Sequence, residues 1–262
     1  FLWLPPGIRP PAAMVWRQER VFLLVGFAAM FAGFDTNVFG LAVPQIQASL
    51  HIPENQLGLT VSYFRIATLA ALLLCSAADL VGRRRLLLFT IFGQAIFTLL
   101  TAFATDYPQF VWAQILTRVF GYAEEMLCFV VIAEEVSAGA RGWANGTLSA
   151  LNYTGAGLAS LAFLGVNVLP HGWRALYVIG AVPLFLVAYL RRTLPETRRF
   201  VALEAMEKTR SRWAEALHLL RSLVREYPFR LATILVAAGA FGFALSSASV
   251  LSSKYLQSVF HY

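Results

Sequence analysis

The chain has 262 residues, of which 58% are hydrophobic and only 13% are charged, and its formal net charge is +7 at pH 7. Soluble domains carry roughly 25% charged residues, so this composition indicates a protein whose solvent is largely lipid. The basic residues concentrate in alternate connections between apolar runs, which is a pattern of membrane topology rather than of nucleic-acid binding. Cys75 and Cys128 both lie inside apolar runs, so we expect no disulfide between them.

Seven apolar runs recur along the chain, each close to the length that a membrane-spanning helix requires, which is roughly 17–25 residues. They cover residues 21–46, 57–78, 86–105, 110–133, 143–169, 175–190 and 231–250. Transmembrane strands are excluded because they are shorter and alternate between apolar and polar residues. The sequence therefore predicts an all-α membrane protein: a six-helix bundle, a cytoplasmic linker and a seventh transmembrane helix.

The positions of the arginines predict how the helices are oriented. Arginines precede the first run and follow the second, fourth and sixth, whereas the loops at 51–56 and 105–109 contain no basic residue apart from a histidine. The positive-inside rule then places the N-terminus in the cytoplasm and residue 262 on the far side. Arg191 and Arg192 directly follow the sixth run and are interpreted as cytoplasmic loop charges.

Four segments follow from this topology. We predict an N-terminal cytoplasmic segment at 1–20, the six-helix bundle at 21–197, an amphipathic linker at 198–228 and the seventh helix at 229–262. The linker is basic with apolar residues at helical spacing, and either lies on anionic lipid headgroups or acts as a gating latch against the bundle. The odd number of runs and the end at Tyr262 predict a piece of a longer protein that lacks its C-terminal half.

Ionisable residues inside apolar runs are costly and mark candidate functional sites. Asp35 lies 14 residues after Val21, or roughly 21 Å from the predicted cytoplasmic side. Arg118 lies 10 residues after Pro108, or roughly 15 Å from the other side. Both are thus near the middle of a core about 30 Å thick, and we predict that they pair. The pair is either a static bridge or a proton-coupling switch in which protonated Asp35 releases Arg118.

Further polar residues in the runs are predicted to line a solute pathway: Arg65, Glu125, Asn152 and Tyr153. Arg65 is interpreted as a second partner for an acid or as an anion contact. Glu125 lies seven residues after Arg118 and therefore on the same helical face, whereas Glu124 points about 100° away and is the weaker candidate. The asparagine and the tyrosine suit a solute pocket and helix packing equally well.

A short charged connection at 77–85 joins the second and third runs and contains an acid that a simple topological anchor does not need. Two glutamates at the end of the fourth run lie at the same predicted membrane face, where we expect them to meet Arg83 or Arg84. We predict that this face carries a cytoplasmic gate. Its members are Asp79, Gly82, Arg83, Arg84, Glu134, Glu135 and Arg141.

The sequence contains no arrangement of residues typical of an enzyme. Its four histidines lie in loops or at the chain end without metal-ligand spacing, and there is no Walker-type phosphate loop. We therefore expect neither catalysis nor a metal or other cofactor.

The segment Ala78-Asp79-Leu80-Val81-Gly82-Arg83-Arg84 resembles the loop between the second and third spans of the major facilitator superfamily. The family pattern is G-x-L-A-D-R-x-G-R-R, and Cys75 and Leu80 depart from it. Residues 33–36 with Pro44 resemble the first span of sugar porters and of aromatic-acid or metabolite:proton symporters. Residues 172–174 and 194–199 resemble the sixth span and its end, so the resemblance covers roughly residues 20–200.

This resemblance implies a fold of twelve spans in two six-helix bundles, with the substrate site near the midplane between them. It also implies two inverted three-helix repeats in each bundle, so that the spans of Asp35 and Arg118 correspond. We expect a proton-coupled symporter of a bacterial-type inner membrane that imports a small organic solute, such as a sugar or organic acid, by alternating access. Its partners would be the solute, protons, lipid and the missing six-helix half.

Three alternatives remain open at the level of the sequence. One is a drug or metabolite efflux antiporter: Gly146 and Gly155 fit the fifth-span pattern of that class, but Ala159 and Ser160 stand where its Gly-Pro belongs. The second is an uncoupled facilitator. The third is a truncated membrane module that transports nothing and binds a partner.

Overall fold

The computed structural model describes residues 9–12, 14–194, 196, 221–222 and 224–260. These residues are helical almost throughout, and strands are absent from them. The helices are α1 (Trp16–Ser49), α2 (Glu54–Ser76), α3 (Ala78–Val81), α4 (Arg83–Ala102), α5 (Tyr107–Glu135), α6 (Arg141–Leu164), α7 (Trp173–Arg191) and α8 (Pro228–Phe260). The all-α prediction is therefore confirmed.

A helix covers all or most of each of the seven predicted apolar runs. Helices α1, α2, α4 and α7 are both long and apolar enough to cross a membrane. Helices α5 and α6 have 29 and 24 residues, which is also spanning length, and α5 carries Arg118, Glu124 and Glu125 in its interior. The segment boundaries remain predictions, and the linker at 198–228 falls mostly outside the described residues.

The chain divides into two compact units, Phe1–Val201 and Ala202–Tyr262. Helices α1 to α7 belong to the first unit, which carries all of the sites described below. Helix α8 belongs to the second unit and has 33 residues, with an apolar stretch at Pro228–Gly242.

The packing of the first unit has an internal symmetry. Helix α1 packs against α6, α7 and α5, while α5 packs against α2, α4 and α1, and α4 packs against α7. Exchanging α1 with α5, α2 with α6 and α4 with α7 maps each of these contacts onto another of them or onto itself. This is the arrangement expected of two inverted three-helix repeats.

Helices α1 and α6 approach each other closely at two glycines. A side-chain carbon on Gly33 would overlap the backbone carbonyl of Asn152, and one on Gly155 would overlap the backbone carbonyl of Met30. The Asn152 amide also donates a hydrogen bond to the Ala29 carbonyl at 3.2 Å. Small residues at such crossings let helix backbones touch, which is how membrane helices gain packing energy without a hydrophobic driving force.

Residues 77–82 turn the chain sharply between α2 and α4. The turn ends at Gly82, whose φ of 101° and ψ of 144° lie in a region that glycine adopts without strain. Helices α1, α4 and α6 begin at this end of the bundle, while α2, α5 and α7 end there. We call it the arginine end, because residues 83–85 are all arginine.

The glycine contact predicts a sharp difference between two substitutions on α6. Gly155→Ala places a methyl group against the α1 backbone, whereas Gly157→Ala meets nothing within 4 Å. We expect the first to destabilise the bundle by about 1–3 kcal/mol through overpacking. The second should leave stability unchanged or raise it slightly, because alanine favours a helix over glycine by roughly 1 kcal/mol.

Thermal unfolding of the full-length protein in detergent, followed by size-exclusion chromatography after heating, checks this pair. Equal melting temperatures for the two variants would contradict the close α1–α6 approach.

Candidate functional site

The predicted gate residues meet at the arginine end through a nearly buried ion pair. Arg83 at the start of α4 places its Nη2 3.1 Å from Oε1 of Glu134 near the end of α5, and both side chains are 6% exposed. The Arg83 guanidinium also donates to the Ala78 carbonyl at 3.4 Å. The pair thus joins the turn after α2 to the end of α5.

A second set of contacts joins the same end of the bundle to α1 and to the segment after α7. Arg17 lies 3.4 Å from Glu135, and it donates to the Glu196 carbonyl at 3.2 Å. The backbone N–H of Arg84 donates to the Glu196 carboxylate at 3.0 Å, and its guanidinium donates to the Arg192 carbonyl at 2.6 Å. Glu196 was not among the predicted gate residues, although it stands in the segment that carries the resemblance.

The predicted gate also includes Arg141 and Asp79. The Arg141 guanidinium donates to the Val136 carbonyl at 3.1 Å, so this contact of the arginine bridges the two ends of the connection between α5 and α6. The side chain of Asp79 lies outside the described part of the chain. Its backbone belongs to α3, the short helix of the turn.

Asp35 lies near the middle of α1 and is only 5% exposed. Its carboxylate accepts a hydrogen bond from the Thr98 hydroxyl of α4 at 3.1 Å, and the Gln94 amide one turn earlier on α4 also interacts with it. The charge of Arg118 and the hydroxyl of Tyr177 interact with it electrostatically. Groups from α4, α5 and α7 therefore surround the acid.

The predicted direct pair of Asp35 with Arg118 is wrong for the conformation described. Within the described residues, no ion pair within 4 Å joins them; the guanidinium carbon of Arg118 instead lies 4.5 Å from the centre of the Phe64 ring and 5.6 Å from that of Phe39. An aromatic face attracts a cation through its quadrupole, which accounts for this placement. The two charges do lie in the same region of the bundle. The orientation of α5, however, points the arginine side chain at the rings of Phe64 and Phe39.

Arg118 belongs to a polar face of α5 that is partly exposed. It donates to the hydroxyl of Tyr122 at 3.4 Å, and Glu125 follows at the next turn, half-buried. The Nε atom of Arg118 is buried without a hydrogen-bond partner in the described residues. Tyr122 was missed from the sequence, although its spacing of four residues from Arg118 is the signal that could have found it.

The other predicted pathway residues do not converge with this face. Arg65 lies on an exposed part of α2, and Tyr153 of α6 is 70% exposed. Asn152 bonds to the α1 backbone, so its observed contact is one of helix packing. Of the two readings left open for Asn152, packing is the one that the structure contains.

The most enclosed charges among the described residues of the bundle are Arg191, which was interpreted as a loop charge, and Glu124, which was the weaker pathway candidate. Arg191 is 0% exposed and pairs with Glu124, which is 1% exposed. Glu124 accepts a further hydrogen bond from the Thr90 hydroxyl at 2.6 Å and another from the Cys128 thiol at 3.3 Å. The interpretation of Arg191 as a loop charge is therefore wrong, because α7 includes this residue and turns its side chain into the bundle.

Buried polar residues follow one face of α4 and were also missed. Thr90, Gln94 and Thr98 recur every four residues, which places them one above another on the helix, and each is at most 1% exposed. Thr90 contacts Glu124, and Thr98 contacts Asp35. Their spacing inside an apolar run is visible in the sequence and could have indicated a buried polar face.

The sequence profile of the Major Facilitator Superfamily matches residues 25–262. The 3-(3-hydroxy-phenyl)propionate transporter of Escherichia coli (strain K12) is 31% identical over 193 residues, which are 70% of this chain and 46% of that protein. The gallate transporter of Pseudomonas putida is 28% identical over 199 residues, which are 74% of this chain and 43% of that protein. The chain thus spans about half the length of the curated relatives it matches.

A solved structure of a D-xylose-proton symporter matches the fold with a TM-score of 0.64 at 17% identity, covering 88% of this chain and 60% of that one. At this identity the likeness concerns the fold alone. The three proteins are named as transporters or a symporter, none as an enzyme, and the resemblance inferred from the sequence motifs is confirmed. Because the profile covers most of its length, the chain belongs to the Major Facilitator Superfamily.

Proposed function

We propose that the chain is the N-terminal half of a proton-coupled importer for a small organic acid. The observation that carries the proposal is the buried Asp35 carboxyl beside the Arg118 guanidinium, without a direct ion pair between them. The second six-helix half would be supplied by the remainder of the full-length protein. Substrate would bind near the midplane, between the two halves.

The surroundings of Arg118 support an anionic, aromatic solute. Its guanidinium faces the rings of Phe64 and Phe39, and its neighbour on α5 is the Tyr122 hydroxyl. A guanidinium is suited to binding a carboxylate through two parallel hydrogen bonds. Aromatic rings beside it suit a planar solute, and two of the relatives are named as transporters of phenolic acids.

Asp35 is the candidate for the coupled proton. It is enclosed by α1, α4, α5 and α7, and its hydrogen bond comes from a hydroxyl rather than from an arginine. Ionising an acid in such surroundings is costly unless a cation stands near it. Protonation of Asp35 would therefore alter the field at Arg118 and, with it, the affinity for an anionic solute.

The contacts at the arginine end support a gate that closes the cytoplasmic side. The ion pair of Arg83 with Glu134 and the bonds to Glu196 join the turn after α2 to the ends of α5 and α7. Alternating access closes this side of the protein in one state and opens it in another, and these contacts fix the surface of the bundle that would form the closure. The positive-inside rule places this end in the cytoplasm.

Replacing the acid tests the coupling. In proteoliposomes with an inward proton gradient of about one pH unit, one proton per solute drives about tenfold accumulation. We expect wild-type full-length protein to approach this ratio with gallate or 3-(3-hydroxyphenyl)propionate as the solute. Asp35→Asn should bring the ratio close to one while solute exchange continues, because asparagine cannot take up the proton.

The matched control is Glu54→Gln, which removes an exposed carboxylate at the start of α2 and should leave accumulation unchanged. Full accumulation by Asp35→Asn would contradict the coupling role. Xylose serves as the neutral comparison solute, and uptake of xylose with exclusion of both acids would contradict the anionic solute class.

The gate predicts an energetic coupling between Arg83 and Glu134. We expect Arg83→Gln and Glu134→Gln each to slow initial uptake, and the charge-swapped pair Arg83→Glu with Glu134→Arg to recover part of the rate. A double-mutant cycle on uptake rates should give a coupling energy between about 0.5 and 3 kcal/mol. The exposed Arg85 provides the control, and Arg85→Gln should have no effect. Strict additivity of the two substitutions would exclude a shared gate.

A further inference from the structure

The polar face of α4 joins the two buried carboxylates of the bundle. Thr98 Oγ1 lies 3.1 Å from Oδ1 of Asp35, and Thr90 Oγ1 lies 2.6 Å from Oε2 of Glu124. The separation of eight positions between the two threonines corresponds to roughly 12 Å along the helix axis. Gln94 occupies the turn between them, so a hydroxyl, an amide and a hydroxyl lie one above another on the same face of α4.

Gln94 has an unused hydrogen-bond acceptor, which a residue between two other polar groups needs if it is to bond to both. The residue is 1% exposed, its amide interacts with Asp35, and its Oε1 atom is buried without a hydrogen-bond partner among the described residues. A buried acceptor without a partner costs free energy. An apolar residue would avoid that cost, so the amide at this position calls for a role beyond packing.

The contacts of Glu124 suit both of its protonation states. When the carboxylate is ionised, the Thr90 hydroxyl donates to it and Arg191 balances its charge. When the acid is protonated, it can donate to Thr90 instead, because the same hydroxyl lies 2.9 Å from the Leu86 carbonyl and 3.2 Å from the Leu87 carbonyl. A hydroxyl both donates and accepts, so the site needs no rearrangement to change state.

The charged and titratable groups that contact Glu124 are Arg191 from α7 and Cys128 from its own helix. Those that act on Asp35 are Arg118 from α5 and Tyr177 from α7. Each carboxylate thus has one arginine near it, and α4 contributes only neutral hydroxyl and amide groups between them.

A small cavity continues the line towards the arginine end. Its volume is about 20 Å³, and its lining includes Arg191, Glu135 and the exposed Arg84. A cavity of more than roughly 10–15 Å³ can hold a water molecule that polar groups bind, and here Arg191, Glu135 and Arg84 are the polar residues of an otherwise apolar lining. Arg191 of the buried pair and the exposed Arg84 therefore line one cavity that is large enough for a water molecule.

We propose that Thr98, Gln94 and Thr90 form a proton path from Asp35 to the Glu124–Arg191 pair, and that the cavity connects this pair with the cytoplasm. The path deepens the proposed function, because it rests on Asp35 carrying the coupled proton. A proton released by the Asp35 carboxyl is taken up by the Glu124 carboxylate and then leaves through the cavity. Arg191 keeps its charge throughout and balances Glu124 after the proton has left.

The test separates proton movement from transport as such. Full-length variants in proteoliposomes are measured for solute exchange, which needs no net proton movement, and for accumulation driven by an inward proton gradient. For Thr90→Val and Glu124→Gln we expect exchange at the wild-type rate, with an accumulation ratio that falls from about ten towards one at a gradient of about one pH unit. The matched control is Thr101→Val on the same helix, because Thr101 is equally buried but bonds to Phe97 and Gln114 beyond Asp35.

Glu124→Gln leaves Arg191 buried without its counter-charge, so a double variant guards against misfolding. Glu124→Gln with Arg191→Met removes both charges. A path through Glu124 predicts that the double variant exchanges solute and fails to accumulate it, whereas a purely structural pair predicts that accumulation returns.

Four results would overturn the path while leaving the proposed function intact: normal accumulation by Thr90→Val, by Glu124→Gln or by the double variant, or equal losses in Thr90→Val and Thr101→Val. If wild-type protein shows no proton-driven accumulation, the proposed function fails and the path fails with it.

Discussion

The enclosed charge of Arg191 constrains how the first unit is assembled. A guanidinium removed from water is tolerated only when a counter-charge and hydrogen-bond acceptors surround it. Here α5 supplies the carboxylate of Glu124, and α1 supplies the Leu24 carbonyl at 3.4 Å. Thr90 of α4 bonds to the same carboxylate. The end of α7 is therefore tied to three other helices at one point, and their relative rotation follows from that contact.

The charged groups of the bundle lie at three successive depths. At the arginine end, Arg83 and Glu134 join the turn after α2 to the end of α5, where the proposed gate lies. Deeper in, the Arg191–Glu124 pair lies where α7 meets α1, α4 and α5, and it stays together as the bundle moves as a rigid body. At the middle, Asp35 and Arg118 face the region where the second half would contribute to the solute site. The proposed role therefore changes with depth: gating at the arginine end, proton conduction below it and solute binding at the middle.

Much of the helical architecture could be predicted because run length and composition determine which segments can satisfy their backbone hydrogen bonds in lipid. The side-chain partners could not be predicted in the same way. Sequence position brought Asp35 and Arg118 into the same region of the bundle, where their charges interact. Depth is only one coordinate, however, and the rotation of α5 decides whether the arginine meets an acid or an aromatic ring. The angle of about 100° between Glu124 and Glu125 follows from helix geometry, yet only packing shows which of them faces the interior.

Arg191 illustrates a second limit. A basic residue directly after an apolar run resembles a loop charge, and the positive-inside rule takes no account of a side chain that turns back into the bundle. The partner that draws it inwards, Glu124, is 67 residues away in sequence. By contrast, the polar face of α4 could have been predicted, because three polar residues at a spacing of four inside an apolar run are visible in the sequence alone.

Proton movement driven by the solute alone gives the most direct test of symport. Full-length protein in weakly buffered proteoliposomes is supplied with an inward gradient of gallate and no initial pH gradient, while the external pH is recorded. Symport predicts that the medium becomes alkaline as protons enter with the solute, and that a proton ionophore abolishes the change. Acidification of the medium would indicate antiport, and solute entry without a pH change would indicate facilitation; either result contradicts proton-coupled import.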